Sequence, residues 1–599
     1  MGLLSDIWAV LTPRQRRWLL AAQALALVMA LSTVTGVASI APFFAVLGNP
    51  ELIERNALLH ALYGYFAFSS PHAFVVALGL AFLVLTLLAN LVNLVGVLAM
   101  NRLAWWIGID LQSALFAEYL GRPYLFHAGA HSAALGNNII NETARVTNDV
   151  LQSGLSFVSN AVTAVFILGA MLLFDSAVAL AMIGTLAAGY VGIYLAVRNR
   201  LLRCGRIQTE SVVEQTRVVN ETFGAIKEVL AFGVQDFFRG RFERASRGVA
   251  SAVVHTQQVS QTPRPVMECV AVAGLVGLAL ALSGREQGIG PWLGQLTFAG
   301  FAAYRLLPTL QQAFAALVKV RAARAGFAAI APDLREARAR RSRPMPVETD
   351  PSWLERPRQE IALDQVTFRY APDRPAAVTA LSIRIPARTA VGLVGANGSG
   401  KTTLVDLVAG LLVPNAGEVR VDGIALNDGN RASWRQRIAY VPQHIFLMDT
   451  SIAQNIALGV PREAIDHERL LAAAKLAQLD ELVATLPGQY DHVVGERGVR
   501  LSGGQRQRVG IARALYANAS VLLLDEATNA LDGLTEQELV ATLVKLRGLY
   551  TVVLIAHRLS TLRSCDLIFE VHEGTVIAQG PYSELLRSSQ TFRRLAGVT

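Results

Sequence analysis

Val391-Gly-Leu-Val-Gly-Ala-Asn-Gly-Ser-Gly-Lys-Thr-Thr403 is the stretch on which the reading of this chain turns. An aliphatic run ends at Gly395, a glycine-rich turn follows, and Thr403-Leu-Val-Asp-Leu-Val-Ala409 opens a helix. Read as Gly395-x-x-x-x-Gly400-Lys401-Thr402, this is a P-loop with the strand before it and the helix after it that the motif requires. Glycines let backbone N–H groups turn inward around phosphate oxygens, and the helix N-terminus adds the positive end of its dipole. Lys401 then serves as a point charge on the β- and γ-phosphates, and the Thr402 hydroxyl as a ligand for Mg²⁺.

Around this stretch the 599 residues divide unevenly. The chain is 53% hydrophobic and only 17% charged, with a mean hydropathy of +0.39, too apolar for an ordinary soluble protein. Long uncharged runs crowd the first half, and the sequence after about residue 340 reads as soluble α/β. The three cysteines, Cys204, Cys269 and Cys565, are too far apart to suggest a disulfide framework or a metal site. Met1-Gly-Leu-Leu-Ser-Asp6 lacks the basic start of a cleavable signal, and the first apolar run is too long for one.

Six runs are long enough to cross a hydrocarbon core that needs about 20 residues. They are Trp18 to about Leu47, Ala73 to Met100, Gly154 to Phe174, Ser176 to Val197, Pro265 to Ser283, and Pro291 to about Val318. Between the first two, Leu59, Leu62, Tyr63 and Phe66 fall at helical spacing and predict a short amphipathic helix on the outer surface. The loop 198–263 is rich in arginine, while the opposite connections show only Arg55 and Arg285. That asymmetry puts both termini and the two long loops in the cytoplasm. It also makes the net charge of +9 a topology signal and not a nucleic-acid signal. Asn141–Asp149 and Glu221–Gly233 are the loop stretches expected to reach another domain.

Ionisable residues inside spans are costly and are functional candidates. Arg305 falls in the sixth run, roughly 20 Å below Trp292 at the helical rise. Arg264 and Glu268 stand four apart at the start of the fifth. Arg305 and Arg264 are therefore candidate partners for an anionic head group, with snorkelling or an Arg–Glu pair as the plainer alternatives.

The expected division is a membrane domain over 1–330, an exposed linker over 331–360 (Arg335 to Arg358 being rich in Arg, Pro and Ser), and a nucleotide domain over 361–599. Ile361–Tyr370 alternates as an edge strand would. Further motifs follow the P-loop in order. Gln443 ends a strand-like run. Leu501-Ser-Gly-Gly-Gln505 opens an apolar-striped helix, Val521–Asp525 is a buried strand leading to Glu526, and His557 ends another strand. Asp525 suits Mg²⁺ and Glu526 suits polarisation of an attacking water.

This ordered set resembles the nucleotide-binding domain of ABC transporters, and the first half resembles the six-span membrane domain of ABC exporters, so the likeness covers nearly the whole chain. The resemblance assigns Walker A to Gly395–Thr402, with Asn397, Gly398, Ser399, Gly400, Lys401 and Thr403 contacting the nucleotide. It assigns adenine stacking to Tyr370, the Q-loop to Gln443, and the signature to Leu501–Gln505 with Ser502, Gly503, Gly504 and Gln505. It assigns the D-loop to Asn529–Asp532, where Asn529 replaces the commoner serine, the switch to His557, and contact with the membrane domain's loops to Val494–Gly498. It implies ATP and Mg²⁺, the latter at Thr402, Gln443 and Asp525, and hydrolysis by Glu526, His557 and Gln443. Two copies would sandwich each ATP between one Walker A and the other signature, and the intact motifs favour a homodimer.

For cargo, the segment 50–68, Ala303–Pro308 and Ile226–Leu230 resemble bacterial flippases for lipid-linked oligosaccharides. That likeness implies transfer of a polyprenyl-pyrophosphate-linked glycan from the inner to the outer leaflet of a bacterial inner membrane, for protein glycosylation. Export of other lipids, lipid A precursors or drugs is one alternative, and an ATP-gated channel or sensor another. Six spans in the same chain exclude a soluble DNA-repair or ribosome-associated ATPase, and no nucleic-acid partner is expected.

Overall fold

The computed structural model describes residues 2–595 apart from 49, 175, 284–288, 342–356, 518, 527–541, 543–547 and 557–558. The chain forms two compact units: Met1–Arg122 with Ala130–Arg343, and Pro123–Gly129 with Pro344–Thr599.

The first unit is helical. Its principal helices are α1 (Gly2–Val10), α2 (Pro13–Ala38), α3 (Pro71–Leu120), α4 (Ser153–Phe174), α5 (Ser176–Gly224), α6 (Pro263–Ser283) and α7 (Ile289–Arg341). Local sequence sets their starts. Thr12 and Gln15 close a reciprocal capping box with Pro13 in the first turn. The Ser70 hydroxyl accepts from Ala73 N ahead of α3. Helix α3 has 50 residues, about 75 Å at the helical rise, far more than a bilayer core requires. Three helical stretches among the described residues are long and apolar enough to cross a membrane: Pro13–Gly48, Pro71–Leu120 and Ser132–Leu173. The other three expected spans fall on α5, α6 and α7. Ile167, Leu186, Leu201, Met267, Leu306 and Val318 form a buried cluster that joins α4 to α7.

Two expectations are revised here. The segment between the first two apolar runs is two short helices, Leu52–Arg55 and Ala57–Tyr65, because Asn56 adopts an extended backbone and its side chain caps the second. The linker expected from 331 onward does not begin there, since α7 continues to Arg341. Leu334 is fully buried. Arg335 pairs with Asp6, Arg338 with Asp110, and Arg340 with Glu118. The arginines that read as linker composition are ion-pair partners on one helix.

The second unit carries two sheets. The first, ordered β2-β1-β4-β5, is antiparallel and comprises β1 (Glu360–Phe368), β2 (Val378–Pro386), β4 (Ala416–Val421) and β5 (Ile424–Ala425). The second, ordered β10-β9-β3-β8-β7-β6, contains β3 (Ala390–Val394), β6 (Ile438–Val441), β7 (Val521–Asp525), β8 (Thr551–Ile555), β9 (Leu567–His572) and β10 (Thr575–Gly580). From β9 to β6 every pairing in it is parallel. Strands β3, β7 and β8 are buried throughout, as central parallel strands are. Strand β1 is not an edge, because it is paired on both sides, by β2 and β4. Its alternation records one buried face and carries no information about its edges. Helices α8 (Lys401–Val408) and α9 (Gly503–Tyr516) pack on the parallel sheet through buried Leu404, Leu407, Val509 and Ala512.

Candidate functional site

The site forms where β3, β7 and β8 end. Strand β3 delivers the chain into Gly395–Gly400, and α8 leaves from Lys401. Only glycine fits at either end of this turn. Gly395 has φ +154, and a Cβ there would collide with the Val571 carbonyl oxygen. Gly400 has φ +102, and a Cβ would come within 2.6 Å of Ala377 O. Between them Asn397 and Gly398 are exposed. The Ser399 hydroxyl oxygen is buried without a hydrogen-bond partner.

Lys401 Nζ donates to the carbonyl oxygens of Gly395 and Ala396, each at 2.9 Å. The loop is thus curled around its own cation. Burial holds the Lys401 ammonium below the ordinary lysine range, against the opposing pull of Glu526 and Asp525. Asp525, at the tip of β7, is pushed up, chiefly by burial. It accepts from the Tyr440 hydroxyl at 3.1 Å, and the Tyr440 and Thr402 side chains beside it oppose part of that rise. Gln443 Nε2 donates to Glu526 Oε2 at 2.6 Å. Glu526 sits at φ +49, a left-handed conformation that costs a non-glycine residue on the order of 1–3 kcal/mol. Tyr370 hydrogen-bonds Thr403 Oγ1 through its hydroxyl at 3.0 Å and stands edge-on to Phe368.

The structure therefore gathers Lys401, Thr402, Asp525, Glu526 and Gln443 into one cluster, with Tyr370 tied to the same helix. An orphaned buried hydroxyl, glycine-only turns and a buried ammonium fit a polyphosphate. Hard oxygen donors on Thr402 and Asp525 fit a small divalent cation. Ser502–Gln505 stands apart. Ser502 Oγ accepts from Gln505 N at 3.2 Å and Gln505 Oε1 accepts from Ser502 N at 2.8 Å. Among the described residues no hydrogen bond of Ser502 or Gln505 reaches 395–403. Gly503 and Gly504 open α9 beside an exposed Ser502, so this N-terminus is available to a ligand from elsewhere. Arg506 donates to the carbonyls of Gly498 and Leu501, tying Val494–Gly498 to the same helix. Asp532 and His557 lie outside the described residues.

Three participants escaped the sequence reading. Tyr440 reaches Asp525 from the neighbouring strand β6. Asp406, buried on α8, has its carboxyl pushed up to about 6 by burial and then by Asp525. Tyr124 belongs to Pro123–Gly129, the short segment grouped with this unit, and burial followed by the negative field of Asp406 pushes its hydroxyl up. The signal was Gly121-Arg-Pro123, which stops α3 in mid-loop.

In the helical unit, Arg305 Nη2 donates to Asn90 Oδ1 at 3.3 Å and has no acidic partner among the described residues. Arg264 instead pairs with Glu268 at 2.8 Å, the plainer of the two readings open for it.

Two family models match the chain: "ABC transporter transmembrane region" over residues 19–282 and "ABC transporter" over residues 378–529. The ATP-dependent lipid A-core flippase of Albidiferax ferrireducens is 31% identical over 529 residues, covering 84% of this chain and 86% of that protein. The chain is an ABC exporter half-transporter. The exporter is also 29% identical to the flippase of the same name from Cupriavidus metallidurans, over 97% of this chain and 94% of that one. Its fold matches a bacterial Atm1-family ABC exporter solved with ATP bound, with a TM-score of 0.75 and 24% identity over 97% and 98% of the two chains. The second unit of the exporter is thus an ABC ATPase domain that binds ATP.

Proposed function

We propose that this exporter works as a homodimer in a bacterial inner membrane, with its termini and ATPase domains in the cytoplasm. Its activity is ATP-driven transfer of lipid A-core, an anionic glycolipid, from the inner to the outer leaflet. The observation that carries the cargo is the similarity to lipid A-core flippases along nearly the full length of the chain. It favours lipid A-core over the polyprenyl-pyrophosphate glycan expected from the sequence. Arg305 supports an anionic cargo. Its partner Asn90 lies eight residues from Leu98, where the exposed aliphatic face of α3 ends, a depth of about 12 Å. An arginine at that depth without an acidic partner suits a phosphate, which it binds through paired donors.

At the motor, Lys401 leaves its two carbonyl partners for the terminal phosphates. Thr402 and Asp525 would hold Mg²⁺, which would supply charge neutralisation to the phosphates. Gln443 orients the Glu526 carboxylate, and Glu526 takes a proton from the attacking water. Tyr370 lies against the base. Ser502–Gln505 serves the ATP of the partner copy, which is why it stands apart from the P-loop within one chain.

Reconstitution tests the proposal. Proteoliposomes would receive fluorescent lipid A-core in one set and a polyprenyl-pyrophosphate glycan in another, scored for ATP-dependent change in leaflet exposure. Movement of lipid A-core is the expected result. Movement of the polyprenyl glycan alone would restore the other cargo. Movement of neither, with active ATPase, would remove the flippase reading.

A further inference from the structure

Asp525 and Glu526 stand side by side at the end of β7, and the neighbouring strand β6 reaches both. In the parallel pairing of the two strands Tyr440 lies opposite Leu523. Side chains alternate between the faces of a sheet, so Tyr440, Leu523 and Asp525 share one face. It is the face that α8 covers. Leu523, Leu404 and Leu407 belong to one buried cluster, and Tyr440 packs against it. From there the Tyr440 hydroxyl donates to Asp525 Oδ2 at 3.1 Å. Gln443, just beyond the same strand, donates to Glu526 Oε2 at 2.6 Å. One strand thus gives a donor to each of two adjacent acids.

What the oxygen of Tyr440 adds is this bond alone. Packing against the cluster needs only the ring, and among the described residues the hydroxyl has no second hydrogen-bond partner. A tyrosine hydroxyl keeps its proton at neutral pH, so it stands ready to donate to a carboxylate. Asp525 is 6% exposed, and solvent has little access to its oxygens. With Oδ2 engaged, Oδ1 is the oxygen left for a cation. Thr402, the other hard donor of the cluster, stands beside the same carboxylate.

We propose that Tyr440 is a positioning residue for the divalent cation that accompanies ATP. By engaging Oδ2 it holds the Asp525 carboxylate in one orientation and leaves the other oxygen for the metal. It therefore sets the affinity for metal and not the affinity for nucleotide. Groups that orient a metal ligand in this way change metal affinity by roughly 10–100-fold when removed. The role rests on Mg²⁺ being held by Thr402 and Asp525.

Mn²⁺ binding to the full-length exporter in detergent tests it. The protein would carry stoichiometric β,γ-imido-ATP, and loss of the free-ion electron paramagnetic resonance signal would report bound Mn²⁺. Tyr440→Phe keeps the ring and removes the one oxygen. It should weaken Mn²⁺ binding roughly ten-fold, while a fluorescent ATP analogue in EDTA binds it as it binds the wild type. In steady-state hydrolysis the Mg²⁺ midpoint should rise, and turnover at saturating Mg²⁺ should return towards the wild-type value. Asp525→Asn is the reference and should lose Mn²⁺ binding beyond that of the free nucleotide. Unchanged Mn²⁺ affinity in Tyr440→Phe, with Asp525→Asn impaired, overturns the role of Tyr440 and leaves the metal site standing. Unchanged affinity in both variants, or a wild type that adds nothing to the nucleotide's own affinity, overturns the metal assignment and the role with it. Weaker analogue binding by Tyr440→Phe in EDTA, or turnover that Mg²⁺ does not restore, would make the hydroxyl part of the general frame and overturn the proposal.

Discussion

Gln443 Nε2 donates to Glu526 Oε2 at 2.6 Å, joining the end of one strand to the tip of its neighbour at a residue held at φ +49. The bond aims a carboxylate whose backbone is strained, so the two residues act as one device. Glu526→Gln should bind ATP with near-normal affinity and lose turnover by roughly 10²–10⁴-fold. Gln443→Ala should lower turnover less, because it removes aim and leaves the base. Nucleotide binding and steady-state hydrolysis, measured on both variants, check this. Brisk hydrolysis by Glu526→Gln would remove Glu526 as the base.

Asp406 gives a pH signature. Its folded-state pKa, about 6, lies above the ordinary value of about 3.9. The folded state therefore binds more protons than the unfolded state between those values, and stability from this group falls as pH rises through that window. Asp406→Asn should raise the melting temperature of the exporter above pH 6 and change it little near pH 4. Thermal melts in nucleotide- and magnesium-free buffer at both pH values test the sign. A larger gain at the lower pH would contradict it.

Gly205 on α5 touches the backbone of α7, where a Cβ would strike the Ala322 carbonyl oxygen. Gly184, on the same helix, has nothing within 4 Å of its Cβ position. Gly205→Ala should destabilise the helical unit by about 1–3 kcal/mol through overpacking. Gly184→Ala should be neutral or stabilising by about 0.5–1 kcal/mol, from helix propensity alone. Melting in detergent distinguishes them, and equal shifts would mean that the helices part freely at Gly205.

Arg305→Ala should leave basal ATPase intact while reducing cargo movement at least about ten-fold, the loss of one charge-assisted phosphate contact. Arg264→Ala should do less, since Arg264 is already neutralised by Glu268. Parallel flux and ATPase assays read this out, and unimpaired movement by Arg305→Ala would return that residue to a packing role.

How much of this was legible in advance depends on where the physical cause lies along the chain. The phosphate loop is local. Gly395, Gly400, Lys401 and Thr402 are fixed by what a tight turn between a strand and a helix permits, so spacing alone exposes them. The buried strand ending in Asp525 and the capping signature Ser502-x-x-Gln505 are legible for the same reason. Apolar runs longer than a bilayer is thick declare a membrane domain, whatever their neighbours. Pairing across the chain leaves no such trace. Alternation in Ile361–Tyr370 shows one buried face, yet β1 is flanked on both sides because β2 and β4 supply backbone partners. Arg335–Arg341 has linker composition, and only Asp6, Asp110 and Glu118 make it the end of a helix. Tyr440 on Asp525, Asp406 beneath the loop, and Arg305 against Asn90 are meetings of residues distant in sequence. The sequence by itself determined the motor's chemistry and the membrane character, because both rest on local backbone geometry and hydrophobic length. The tertiary structure decided which charges are compensated and which remain open to a ligand.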